Sequence, residues 1–215
     1  MTDVVVRPRP RLEARRRAFL EAAADAFLEK GYANTTLDDV IARSGGSRQT
    51  LYSLFGGKQG LFEAITQDCC DKIFGALTAD AMVDRPPDEV LVELGTRLLE
   101  MVTMPQAVGL FRLVLAESAS TRDLAEHFWR KGPGRTHALF GRYFRDQARR
   151  GVLRIADPEQ AGQQFWGMLL GGFHIQCVLG LRAGPKPDEI EAFVRTAVVC
   201  FLNGCRARSV GSDGS

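Results

Sequence analysis

"SGGSRQTLYSLFGGKQGLF", Ser44 to Phe62, sets about nine helix-compatible residues between two glycine pairs. An isolated helix that short is not stable in water, so packing against the rest of the chain must hold it. At a helical pitch of about 100° per residue, Leu51, Leu54 and Phe55 share one face. Arg48, Gln49, Tyr52 and Ser53 share the other, with Thr50 at the margin. The apolar stripe gives the helix a docking side. The outer side carries long donors, a hydroxyl and a phenol. Arg can donate two bonds to guanine, Gln can pair twice with adenine, and the Thr methyl can touch thymine. Tyr and Lys suit phosphate oxygens.

Upstream, Asn34, Thr35 and Thr36 offer N-cap oxygens for a helix over Leu37 to Ser44. Before them, Phe19, Ala22, Ala23, Ala26 and Phe27 mark a helix over 11–30 that Gly31 ends. Helix, glycine turn, then a helix with a polar outer face is the helix-turn-helix pattern. Six arginines between Met1 and Arg17 (Arg7, Arg9, Arg11, Arg15, Arg16, Arg17) face only Asp3 and Glu13. A basic arm of this kind can track an anionic polymer or remain a solvated tail.

Downstream, Lys58 opens a longer helix to about Ala81. A cation is slightly unfavourable in a first turn, which favours a phosphate role for Lys58. Apolar stripes then recur between Pro and Gly punctuation, without alternating strands. The expectation is an all-α chain of about nine helices. Its 215 residues are 45% hydrophobic and 25% charged, ordinary for a globular protein, and the net charge of +2 dictates no partner. No secretory signal opens the chain, and the five cysteines form no disulfide framework. Both point to a reducing cytoplasm. Cys69 and Cys70 lie close behind the helix-turn-helix, where oxidation would move it.

The segment "QAGQQFWGMLLGGFHIQCVLGL", 160–181, carries no charged residue. Four glutamines and His174 interrupt it, and no basic cluster flanks it closely. This fits one long helix in a bundle core or at a subunit interface better than a membrane span. Met101, Phe111, Phe128, Trp129, Phe140, Trp166, Phe173 and His174 are candidates to line an apolar ligand cavity, although such residues also build ordinary cores. Gly167 and Gly171, spaced G-x-x-x-G, permit close helix approach at a dimer seam. The scattered histidines and the absence of C-x-x-C leave no zinc site. No nucleophile–base–acid set emerges, so neither catalytic residues nor a cofactor are expected.

The run "TTLDDVIARSGGSRQTLYSLFGGKQGLFEAI", Thr35 to Ile65, resembles the DNA-binding domain of tetracycline-repressor-like (TetR-family) regulators. The matching features are the double Thr, the glycine turn, Ser-basic-x-Thr-Leu-Tyr, the aromatic three residues later, and Lys-x-x-Leu-Phe. The stretch "LFRLVLAES…HFWRKGP…GQQFWGMLLGG" resembles the AefR-like subgroup. The resemblance implies a head and arm over 1–63, a ligand-binding and dimerisation domain over 64–207, and a disordered tail over 208–215. It implies that Thr36 caps the second helix and touches phosphate, and that Ser47 caps the recognition helix. Arg48, Gln49 and Thr50 would face base edges, and Tyr52 and Lys58 would bind phosphate. It places the dimer interface on the last two helices, about 158–181 and 187–205, where Gly167, Gly171 and Phe201 lie. Three positions depart from the family pattern. Gly46 stands where an apolar residue is usual, Ile41 where Ala is frequent, and Asp38 where a DNA-contacting Arg is frequent. Asp38 near phosphate is an electrostatic cost. The implied protein is a cytoplasmic homodimeric repressor that a small apolar or amphipathic ligand releases from a palindromic operator. An activator, or a helical ligand-binding protein or enzyme with a vestigial helix-turn-helix, stays open at this point.

Overall fold

The computed structural model describes residues 10–75, 85–119 and 121–205. Arg7, Arg9, the expected helix end near Ala81 and the tail over 208–215 lie outside these residues. Every described regular element is a helix: α1 Pro10–Lys30, α2 Leu37–Ser44, α3 Arg48–Phe55, α4 Lys58–Gly75, α5 Pro87–Val102, α6 Pro105–Glu117, α7 Arg122–Lys131, α8 Pro133–Arg149, α9 Pro158–Leu170, α10 Phe173–Val178 and α11 Pro187–Cys205. That is eleven helices among the described residues, against about nine expected.

One difference is the break of the expected 158–181 helix into α9 and α10 at Gly171-Gly172. A Cβ on Gly172 would lie 2.7 Å from Cζ of Phe193, so the ring would have to shift to admit a side chain there. Among the described residues, no single helix is long and apolar enough to cross a membrane.

The chain divides into two compact units. The first comprises residues 1–70 and 109–128, and the second 71–108 and 129–215. The sequence suggests one cut near residue 63. Here the first unit also takes most of α6 and α7. It does so because Leu110, Leu113, Val114 and Leu124 join the core built from Phe19, Ala23, Phe27, Val40, Leu51, Leu61 and Phe62. Ile41, Leu54 and Phe55 pack against the same core. Ion pairs Lys30–Asp39 (2.5 Å) and Arg43–Glu29 (2.5 Å) tie α1 to α2.

In the second unit α8 packs along α9 and α11 along α5. A Cβ on Gly162 would lie 2.8 Å from the Gly141 nitrogen, and one on Gly95 would lie 2.8 Å from Val194 Cγ1. Close helix approach within the unit therefore falls at Gly162–Gly141 and at Gly95, while a Cβ on Gly167 would meet nothing within 4 Å. The core is aromatic. Phe140 lies 5.0 Å from Phe165 and 6.4 Å from Trp166, centroid to centroid.

Phe201 belongs to this core. It is 8% exposed and lies 5.1 Å from both Phe144 and Phe165. The expected seat of Phe201 in a dimer seam is therefore corrected, because its ring is buried inside its own unit.

Candidate nucleic-acid interface

The first unit builds a helix-turn-helix from local rules. Thr36 caps α2 through a reciprocal box. Its hydroxyl accepts the Asp39 N–H (3.2 Å), and its own N–H donates to the Asp39 carboxylate (2.8 Å). Lys30, and then Thr36, hold the Asp39 carboxyl well below the usual range. Thr35, buried, sets its hydroxyl 3.0 Å from the Ala26 carbonyl and 2.8 Å from that of Gly31, closing the end of α1. The Gly45 N–H ends α2 on Ile41 O (2.9 Å). Ser47 caps α3, accepting the Thr50 N–H at 3.1 Å, and its hydroxyl lies 2.9 Å from that of Thr50. Gly56, at φ 72°, ends α3 with its N–H on Tyr52 O.

Gly46 explains its own departure from the family pattern. Its φ is +104°, and a Cβ there would stand 3.0 Å from Phe19 Cζ and 3.5 Å from Arg15 Nη1. Phe19 has taken the volume that an apolar side chain would fill, and the turn uses a left-handed conformation that L-residues resist. Gly46→Val should cost about 1–3 kcal/mol of stability, read from denaturant unfolding. Unfolding curves that superimpose on the parent's would refute this account.

The outer face of α3 matches its wheel. Leu51 is buried, while Arg48, Gln49 and Ser53 are exposed and Tyr52 is 50% exposed. Thr50 is half-buried at the margin. Arg48 is not a lone cation. Its Nη2 donates to both carboxylate oxygens of Asp38 on α2, at 2.7 and 2.6 Å. This pairing raises the Arg48 pKa.

Lys58 departs from the expected phosphate role. Its ammonium donates to the carbonyls of Tyr32 (2.8 Å), Ala33 (3.1 Å) and Thr35 (3.0 Å), and sits 4.6 Å from the Tyr32 ring centroid. Three protons meet three acceptors, leaving none for a phosphate in this arrangement. The arm is also partly absorbed. Helix α1 begins at Pro10, Arg15 donates to Ser44 O (3.2 Å), and the Arg16 guanidinium lies 5.9 Å from the Phe55 centroid.

Sequence reasoning missed two residues of this unit. A Cβ on Gly60 would sit on the Phe55 carbonyl oxygen, so Gly60 is what lets α4 start against the end of α3. Its place in "GGKQG" hides this, because the contact is with a backbone carbonyl five residues earlier. Glu117, buried at the end of α6, accepts the Ala33 N–H at 3.1 Å. No local pattern could announce a contact across 84 residues.

The expected ligand-lining residues divide between the two units. Phe111 and Phe128 pair at 5.8 Å in the first. Met101, Trp129, Phe140, Trp166, Phe173 and His174 lie in the second. There Phe140 and Trp166 are core, and Trp129 is 55% exposed against His137. Phe173 packs on Phe193 at 5.1 Å. His174 is buried with Nδ1 3.1 Å from the Val102 carbonyl. Burial pushes its pKa down and the hydrogen bond to Val102 opposes this, so His174 sits as a core histidine. Among the described residues, no three His, Cys, Asp or Glu side chains gather as a metal site.

Comparison with known proteins agrees with this architecture. Residues 19–65 match the family of bacterial regulatory proteins, tetR family. Residues 89–204 match the AefR-like transcriptional repressor, C-terminal domain. The chain is similar to an uncharacterized HTH-type transcriptional regulator, YvkB, of Bacillus subtilis. It is 26% identical over 189 residues, covering 87% of this chain and 95% of that protein. Its fold is similar to that of a TetR-family regulator from Mesorhizobium loti. That match has a TM-score of 0.79 at 24% identity and covers 93% of this chain and all of that one. It is also similar to the flavonoid-responsive regulator FrrA, with a TM-score of 0.75 at 26% identity, covering 91% of this chain and 98% of the other. With its helix-turn-helix head and AefR-like second domain, the chain belongs to the TetR family and is a DNA-binding transcriptional regulator.

Proposed function

We propose that this regulator is a homodimeric repressor, acting in the cytoplasm without catalysis, whose hold on a palindromic operator is released by a small ligand. The observation that carries the reading is the exposed face of α3. Arg48, Gln49, Thr50 and Tyr52 project from a helix whose opposite side is fastened by Leu51, Leu54 and Phe55. Arg48, Gln49 and Thr50 would read base edges. Tyr52, and the exposed N-terminal turns at Thr36 and Ser47, would meet phosphates.

The outward faces of α9 and α11 support a dimer. After Glu159, the exposed residues of α9 are Gln160, Gln163, Gln164, Gly167 and Met168, none of them charged, and Gly171 is exposed at its C-cap. On α11, Ala192, Thr196, Val199 and Cys200 are exposed beside the Glu191–Arg195 ion pair. A two-fold pair would present two α3 helices to successive major grooves, about 34–36 Å apart or a multiple of that. The similarity of residues 89–204 to a repressor domain favours repression over activation. Similarity to a flavonoid-responsive regulator favours an aromatic, amphipathic ligand. Such a ligand must bind the DNA-incompetent state more tightly than the competent one, or nothing shifts.

The test is selection of DNA from a random pool by the purified protein, with and without flavonoids. Enrichment of a near-palindrome that fades with ligand is expected, and no enrichment would overturn the reading. In the same assay Arg48→Ala should lose about 1–3 kcal/mol of discrimination at one base pair per half-site. A selected sequence unchanged in every position would remove Arg48 from the base contacts.

A further inference from the structure

Arg48 stands in the first turn of α3, where the helix field is unfavourable to a cation, and Asp38 stands in the first turn of α2. The two aspartates of α2 have divided tasks. Asp39 is consumed by the Thr36 cap and Lys30. Asp38 takes no part in the cap and instead brings both oxygens to one nitrogen of Arg48. The pair is open to solvent, with side chains 61% and 69% exposed, so it adds little to stability. What it does is restrict a long side chain on the face proposed to read bases.

We propose that Asp38 is a positioning residue for DNA specificity, which holds Arg48 in one orientation across the α2–α3 crossing so that its Nη1 donor meets a guanine edge. This rests on the reading of α3 as the recognition helix. Nη2 is engaged by the carboxylate; both two-donor edges of a guanidinium include Nη2, so Nη1 is left to give a single bond to guanine O6 or N7. A pre-ordered side chain spends less entropy on binding than a free one. The carboxylate also repels phosphate, so it weakens binding to DNA in general while sharpening the choice of base.

The experiment is the same pool selection, with Asp38→Ala, Arg48→Ala and the double variant, beside affinity for a DNA lacking the operator. Asp38→Ala should reduce preference about three- to tenfold at the one base pair that Arg48→Ala flattens. It should also tighten binding to unrelated DNA. In the Arg48→Ala background, Asp38→Ala should change that position no further. Unchanged preference at that pair, a change at a different pair, or effects that add independently would each overturn the proposal. If Arg48→Ala itself alters no position, the base contact falls and this proposal falls with it. If the parent protein enriches no sequence at all, it is the operator reading that has failed.

Discussion

Gly60→Ala is expected to destabilise the DNA-binding head by more than about 4 kcal/mol, enough to abolish operator binding. The added methyl would fall on the carbonyl oxygen of Phe55, the last residue of α3. A flexible side chain could swing away from such a clash, but a backbone carbonyl can yield only if α3 shifts relative to α4. That shift would withdraw Leu51 and Phe55 from the core around Phe19 and Phe62, and would re-aim Arg48 and Gln49. Gly204→Ala is the control, since a Cβ there meets nothing within 4 Å. Thermal unfolding and operator affinity should both collapse in the first variant and hold in the second. A Gly60→Ala protein that melts with the parent would refute the close approach.

Lys58→Met comes second, at about 2–3 kcal/mol of lost stability. Methionine keeps the length of the stem but leaves the carbonyls of Tyr32, Ala33 and Thr35 without their shared donor. It also removes the cation from the Tyr32 ring. The loop that carries the Thr36 cap should loosen, so operator affinity should drop. The slope of log affinity against log salt separates this account from a phosphate contact. A lysine spent on carbonyls leaves the slope unchanged, whereas a lost phosphate contact flattens it by about one unit. A stable Lys58→Met protein with a flattened slope would restore the phosphate role.

Much of the head was legible because its rules are local. The caps at Thr36 and Ser47, the stop at Gly31 and the faces of α3 all depend on residues within a turn or two, so spacing alone exposes them. The second half was legible only as helical content. Its apolar residues serve a core, a cavity or a seam equally well on a wheel, which is why Phe201 could be expected at a subunit contact although its ring lies between Phe144 and Phe165. Glycine spacing is ambiguous for a related reason. Gly167 and Gly171 have the spacing of a close helix contact, yet the contact within the unit forms at Gly162 against Gly141, two glycines of different helices that no spacing rule links.

By itself, then, the sequence determined an all-helical chain, the caps and faces of its helix-turn-helix, and which side of α3 is left exposed. Those follow from the helical period and from hydrogen bonds between near neighbours. Only the tertiary structure decided what occupies Arg48 and Lys58, why Gly46 replaces an apolar residue, and how α6 and α7 enter the head. Each of those depends on a partner brought close by packing: Asp38 across a helix crossing, three carbonyls of a loop, the ring of Phe19, and Glu117 reaching Ala33.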